Sequence, residues 1–161
     1  MRGAGEPWTR EQVEPLLLVD DSTTSRSIVR SLLTSLGIYD VVEAGDARSA
    51  FDRIDDKRFA LVICDIEMHP ISGIEFLSAL RSNGSTSEIP VIMMTANRAQ
   101  KNVQASKQFR ANQFLLKPFS VAALTQAIKN AVKNVTPYRK PEAPKKGKQV
   151  SLRRVARWTE K

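Results

Sequence analysis

Leu61-Val62-Ile63-Cys64-Asp65 is a short apolar run that stops on a carboxylate, and the same shape recurs along the chain. Leu16-Leu17-Leu18-Val19 stops on Asp20-Asp21, Val91-Ile92-Met93-Met94 stops on Thr95-Ala96, and Phe114-Leu115-Leu116 stops on Lys117-Pro118. Short continuous apolar runs of this kind read as strands buried on both faces, the habit of a parallel sheet. Ligands of open α/β sheets bind beyond the carboxyl ends of the strands. The polar residues that end these runs therefore converge on one small volume.

The intervening segments are amphipathic. Thr23 to Leu36 sets Ile28, Leu32, Leu33 and Leu36 on one helical face, with Gly37 as a stop. Val41–Ala44 reads as a further short strand, and Asp46 caps a helix carrying Ala47, Ala50, Phe51 and Ile54. Ile74, Phe76, Leu77 and Leu80 mark a third helix that ends at the Ser82-Asn83-Gly84-Ser85 loop. Arg98 to Arg110 is polar and is expected as an exposed, weakly anchored helix. Ser120 caps a last helix with Val121, Leu124, Ile128, Ala131 and Val132. Five β–α units in series predict an α/β fold: a doubly wound, five-stranded parallel sheet with helices on both faces.

The chain has 161 residues, 42% of them hydrophobic, which suits one ordinary domain with an appendage. Its single cysteine, Cys64, excludes a disulfide framework. No signal-peptide h-region opens the chain and no apolar run is long enough to cross a bilayer, so a soluble cytoplasmic protein is expected. The formal charge of +8 is unevenly placed. Residues 135–161 carry nine Lys/Arg against two Glu, a net +7, which leaves +1 for residues 1–134. The expected organisation is an N-terminal extension (1–14), a folded domain (15–134) and a flexible basic C-terminal tail (135–161).

The strand-end residues describe a chemistry. Mg²⁺ takes oxygen ligands and binds through one or two carboxylates plus phosphate. Asp20, Asp21 and Asp65 supply three carboxylates; two suffice for a metal and the third is left to accept a phosphoryl group. Asp65, alone at the end of the central run, is the natural acceptor. Lys117 is a point charge for one phosphoryl oxygen, and Thr95 supplies a hydroxyl for another. Phosphoryl transfer asks mainly for positioning and charge neutralisation, which this set offers.

These residues resemble the receiver domain of bacterial two-component response regulators, the CheY-like fold with strand order 2-1-3-4-5, over roughly Pro15 to Asn134. The resemblance implies that Asp65 is the phosphoacceptor and that Asp20, Asp21, Asp65 and the backbone carbonyl of Glu67 hold Mg²⁺. It further implies that Thr95 and Lys117 read the phosphoryl group and that Phe114 is the switch aromatic, without a tyrosine's hydroxyl. The phosphoryl donor would be a histidine kinase or phosphotransfer protein, and the only chemistry would be transfer to the protein's own Asp. Two features depart from the pattern: Met68-His69-Pro70 displaces the proline of the loop by one residue, and Glu67 places an acid two residues after the acceptor. His69 reads as a solvent-facing loop residue; Cys64, Met93 and Met94 read as core.

Pro137, Pro141 and Pro144 with Lys145, Lys146 and Lys148 build no core, so a linker is expected there. The 27 residues from 135 to 161 are too few for a DNA-binding output domain, and a monomer is expected. Arg139, Arg153, Arg154, Arg157 and Trp158 combine guanidinium planes with a stacking platform. This composition resembles the arginine-rich CheY-like cyclic di-GMP effectors of alphaproteobacteria, the Cle group. That resemblance implies cyclic di-GMP as a second ligand and a protein docking target, plausibly the flagellar motor switch. The alternative is a phosphorylation-only receiver or phosphorelay adaptor whose tail is inert or binds anionic lipid or nucleic acid.

Overall fold

The apolar runs form one sheet. In the computed structural model, which describes residues 7–98, 108 and 110–136, strands β1 (Leu16–Val19), β2 (Val41–Ala44), β3 (Leu61–Asp65), β4 (Val91–Thr95) and β5 (Gln113–Leu116) lie parallel in the order β2-β1-β3-β4-β5. The helices are α1 (Arg10–Val13), α2 (Thr23–Ser35), α3 (Ala47–Asp56), α4 (Gly73–Ser82) and α5 (Val121–Val132). Among the described residues no helix is long and apolar enough to cross a membrane.

Strand periodicity divides the core into two layers. Leu17, Val19, Val62, Cys64, Val91 and Met93 pack under α3 and α4 with Phe51, Phe76 and Leu77. Leu16, Leu18, Leu61, Ile63, Ile92 and Met94 pack under α2 and α5 with Val29, Leu33, Leu124 and Ile128. Every residue of β1, β3 and β4 is buried, as a central strand covered on both faces requires. Ile28 corrects the expected face of α2: it is 58% exposed, whereas Val29 and Leu33 are buried. Val29 and Leu33 stand one turn apart and point at the sheet, so neighbouring Ile28, about 100° round the helix, is carried outward. Leu32 and Leu36 pack at the margin of that layer. Most of the polar helix expected from Arg98 to Arg110 lies outside the described residues.

Four helix N-termini face the carboxyl ends of the strands, and each is capped. Ser22 Oγ accepts from Ser25 N, Asp46 Oδ1 from Ser49 N, Ser120 Oγ from Ala123 N, and Ser72 forms a reciprocal box with Glu75. At α4 the chain passes so close to β3 that only glycine fits. A Cβ on Gly73 would collide with the Asp65 carbonyl oxygen and come within 2.8 Å of Ile66 Cα, and Gly73 N donates to Ile66 O at 2.8 Å.

At the opposite edge, the packed unit extends back to Trp8. Trp8 is only 6% exposed and Val13 is fully buried in the α2/α5 layer. Gln12 Nε2 donates to Val132 O and Val135 O at 3.2 and 3.5 Å, satisfying carbonyls at the end of α5. Glu14 Oε1 accepts from Tyr39 N at 2.7 Å and Asp40 N at 3.3 Å, while Oε2 accepts from Arg10 Nε at 2.6 Å. Residues 7–14 thus lock the loop before β2 to the rest of the domain.

Candidate functional site

The sheet ladder runs one residue past several strand ends and thereby fixes the residues that matter. Asp20 N donates to Ala44 O, Ile66 N to Met94 O, and Lys117 N to Thr95 O, at 2.8–3.1 Å. The alternation of β1, β3 and β5 continues through Asp20, Asp65 and Lys117 on the α2/α5 side, since Leu18, Ile63 and Leu115 point there. Thr95 follows Met93 toward the other side.

The three carboxylates meet. Asp20, Asp21 and Asp65 each offer an oxygen within 4.8 Å of the others. Asp20 and Asp65 are buried and Asp21 is exposed. Lys117 Nζ bridges the buried pair, 2.7 Å from Asp20 Oδ2 and 3.3 Å from Asp65 Oδ2. Asp20 is also held by Ser25 Oγ at 2.6 Å and by Ser22 N at 2.9 Å. Arg26, paired with Glu43, donates to the Asp20 carbonyl.

The two buried acids are treated unequally. Burial pushes the Asp20 carboxyl up, but the hydrogen bonds from Lys117, Ser25 and Ser22 outweigh it and its pKa falls below the usual value. Burial dominates at Asp65: against the pull of Lys117, and with the Asp20 and Glu67 charges adding to it, its pKa is pushed up to about 7. Asp65 Oδ1 is buried and accepts no hydrogen bond among the described residues. Lys117 holds its proton more firmly than usual; burial works against this, and the two aspartates overcome it. The arrangement therefore presents one carboxylate oxygen, held next to a cation and two acids, with no hydrogen-bond donor to it among the described residues. A divalent cation fits this donor set, since three carboxylates and a single lysine leave negative charge in excess.

Thr95 sits at the edge of this volume. Its Oγ1 donates to Glu67 Oε1 at 2.6 Å and accepts from Asn97 N at 2.9 Å. Phe114 is half-buried and packs on the α3/α4 layer. It stands opposite Met93, while Thr95 stands opposite Leu116, so Thr95 and Phe114 are diagonal neighbours on adjacent strands. His69 is exposed. Cys64 is wholly buried, and burial raises its thiol pKa well above normal. Arg139, Arg153, Arg154, Arg157 and Trp158 lie outside the described residues.

The strand-end residues are legible in the sequence, but two of their partners, and the clasp at the opposite edge, are not. Ser25, which holds Asp20, lies in the first turn of α2; a serine there reads only as a helix-start residue. The acid at Glu67 is visible as a departure from the family pattern, but its contact with Thr95 is not signalled. The clasp of Gln12 and Glu14 belongs to a four-residue helix too short to show a period.

Residues 16–129 match the response regulator receiver domain family. The chain belongs to that family. It is 36% identical over 113 residues to a probable chemotaxis protein CheY of Rhizobium etli, covering 70% of this chain and 88% of the relative. It is 30% identical over 120 residues to chemotaxis protein CheY of Pseudomonas aeruginosa, covering 74% and 97%. Its fold superposes on the chemotaxis protein CheY4 of Vibrio cholerae with a TM-score of 0.67 at 31% identity, covering 72% and 96%. A TM-score of 0.67 at 25% identity relates it to the receiver domain of a sensor histidine kinase of Pseudomonas aeruginosa, solved with a magnesium ion coordinated in its active-site cleft; coverage is 74% and 97%.

Proposed function

We propose that the protein is a CheY-like receiver whose Asp65 accepts a phosphoryl group from a histidine kinase or phosphotransfer protein. The observation that carries this reading is Asp65 Oδ1, buried and unpartnered beside two further carboxylates and Lys117. In the reaction Oδ1 attacks the phosphorus of the donor. A new P–O bond forms as the bond to the leaving group breaks, its electron pair departing with that group. The product is a mixed carboxyl–phosphoryl anhydride, which water later cleaves to the carboxylate and inorganic phosphate.

Asp21 and Asp65, with the Glu67 carbonyl, would hold Mg²⁺ in this reading, with Asp20 in an outer, supporting place. Asp20 already accepts three hydrogen bonds, which suits an outer role. When bound, the ion neutralises the negative charge that gathers on the transferring group. Lys117 supplies a second cation, leaving its bridge to Asp20 to reach a phosphoryl oxygen. The test is incubation with acetyl phosphate and Mg²⁺, followed by intact-mass measurement. The wild-type chain gains one phosphoryl group and Asp65→Asn gains none; uptake by both variants, or by neither, refutes the reading.

The similarity to chemotaxis proteins supports an output by docking to a protein target, plausibly the flagellar switch, and the CheY relatives make chemotaxis the favoured pathway. For residues 135–161 the proposal is a cyclic di-GMP site made by Arg139, Arg153, Arg154, Arg157 and Trp158. What supports it is their composition: guanidinium groups that fork onto phosphates and guanine edges, beside an indole that stacks. Calorimetric titration of the full chain and of a truncation ending at Asn134 tests it, with GTP and cyclic di-AMP as controls. Guanine-specific heat lost on truncation supports the site. Salt-sensitive binding that ignores base identity points to a general polyanion contact.

A further inference from the structure

The Thr95 hydroxyl carries one proton, and the structure shows where it goes. The 2.6 Å contact to Glu67 Oε1 is a short hydrogen bond in which the hydroxyl donates to a carboxylate oxygen. The Asn97 carbonyl, at 3.2 Å, is the weaker claimant. Asn97 N, at 2.9 Å, occupies one of the hydroxyl's acceptor positions and fixes its orientation. A hydroxyl donates only once. Thr95 therefore cannot donate to Glu67 and to a phosphoryl oxygen on Asp65 together.

Glu67 is tied to the same charge balance. It is exposed and follows Asp65 by two residues, with its carboxylate on the hydroxyl at the edge of the acidic site. A phosphoryl group on Asp65 would add negative charge there and repel Glu67 further. Proton competition and charge repulsion act in one direction.

We propose that Glu67 is a latch on Thr95: its carboxylate holds the hydroxyl proton in the unphosphorylated protein, and phosphorylation must displace it to recruit Thr95. Glu67 is a positioning residue, acting through Thr95. This inference rests on Asp65 being the phosphoacceptor. It goes further by assigning the Glu67 side chain a role distinct from that of its backbone carbonyl. The latch opposes the phosphorylated state, so its removal strengthens phosphoryl binding and lengthens its stay.

The test is a double-mutant cycle on the full chain, titrated with beryllofluoride, an analogue of the phosphoryl group, at saturating Mg²⁺. The variants are Glu67→Ala, Thr95→Ala and the double substitution, with Asp65→Asn as the site control. Breaking one competing hydrogen bond of ordinary net strength tightens beryllofluoride binding in Glu67→Ala about fivefold. In the Thr95→Ala background the same substitution tightens binding by only about twofold, the share left to charge repulsion, because no hydroxyl remains to release. Glu67→Gln, which keeps an acceptor without the charge, falls between. Without Mg²⁺ or beryllofluoride, the Thr95 methyl resonance shifts in Glu67→Ala. Equal tightening in both backgrounds means that Glu67 acts by charge alone and overturns the latch, as does no tightening at all. Failure of the wild-type chain to bind beryllofluoride, or binding retained in Asp65→Asn, overturns the phosphoacceptor reading itself and the latch with it.

Discussion

Two buried carboxylates at opposite edges of the sheet meet opposite fates. Glu14, before β1, has its oxygens engaged by Tyr39 N, Asp40 N and Arg10. Burial alone would raise its pKa, but these partners overcome it and hold the group below the ordinary value. Asp65, at the far end of β3, keeps an unpartnered oxygen and is pushed up to about 7. A buried charge that is fully hydrogen-bonded stabilises a fold, and one left short of partners destabilises it. The lower edge therefore holds the domain together, and the upper edge carries strain that a cation and a phosphoryl group would relieve.

The contrast is broken most completely at Asp65 itself. Asp65→Asn abolishes phosphoryl uptake in the intact-mass assay, while circular dichroism remains that of the wild-type fold. Next in size is Gly73→Ala. A methyl there collides with the Asp65–Ile66 peptide and forces the start of α4 away from β3, costing about 3 kcal/mol of unfolding free energy, read by urea denaturation. Mg²⁺ affinity falls with it, because the backbone of Asp65 is displaced.

Glu14→Ala tests the lower edge. It leaves two backbone N–H groups and Arg10 without their acceptor, at a cost of about 2–3 kcal/mol. Phosphoryl uptake per folded molecule is unchanged. Gln12→Ala, which removes a donor from the carbonyls of Val132 and Val135 and leaves Val132 O with Val135 N alone, costs about 1 kcal/mol.

The pH dependences of the two acids have opposite signs. Glu14 has a folded pKa below its unfolded value of 4.5, so its contribution is present above that value and is lost as pH falls through the folded pKa. The wild type minus Glu14→Gln difference in stability shrinks in acid. Asp65 has a folded pKa raised from 3.8 to about 7, so the folded state holds the proton more tightly. Its ionisation therefore costs stability progressively as pH rises across that window. The wild type minus Asp65→Asn difference becomes more unfavourable toward neutral pH, measured without Mg²⁺.

Much of this contrast is legible in the sequence on one side only. Asp20, Asp21, Asp65, Thr95 and Lys117 announce themselves because each ends an apolar run, and parallel-sheet topology carries strand ends to one edge. The lower edge has no such grammar. Trp8, Gln12 and Glu14 act through contacts with residues far along the chain, in or beside a helix of four residues that shows no period. Ile28 misleads for a related reason: beside Val29, either residue completes an apolar stripe with Leu32 or Leu33, and only the packed structure chooses between them. The Glu67 contact with Thr95 depends on the path of the loop after β3, which residue identity alone does not determine.

At the centre of this mechanism, Asp65 carries a charge that Lys117 compensates only in part. The most direct measurement is the thermal unfolding of wild type and Asp65→Asn at pH 8, each with and without Mg²⁺. The expected result is that Asp65→Asn is the more stable without the ion, by about 2 kcal/mol after discounting the full shift for relaxation around Lys117. Mg²⁺ then raises the melting temperature of the wild type and leaves the variant nearly unmoved. An Asp65→Asn protein no more stable than wild type, with both responding equally to Mg²⁺, contradicts that mechanism.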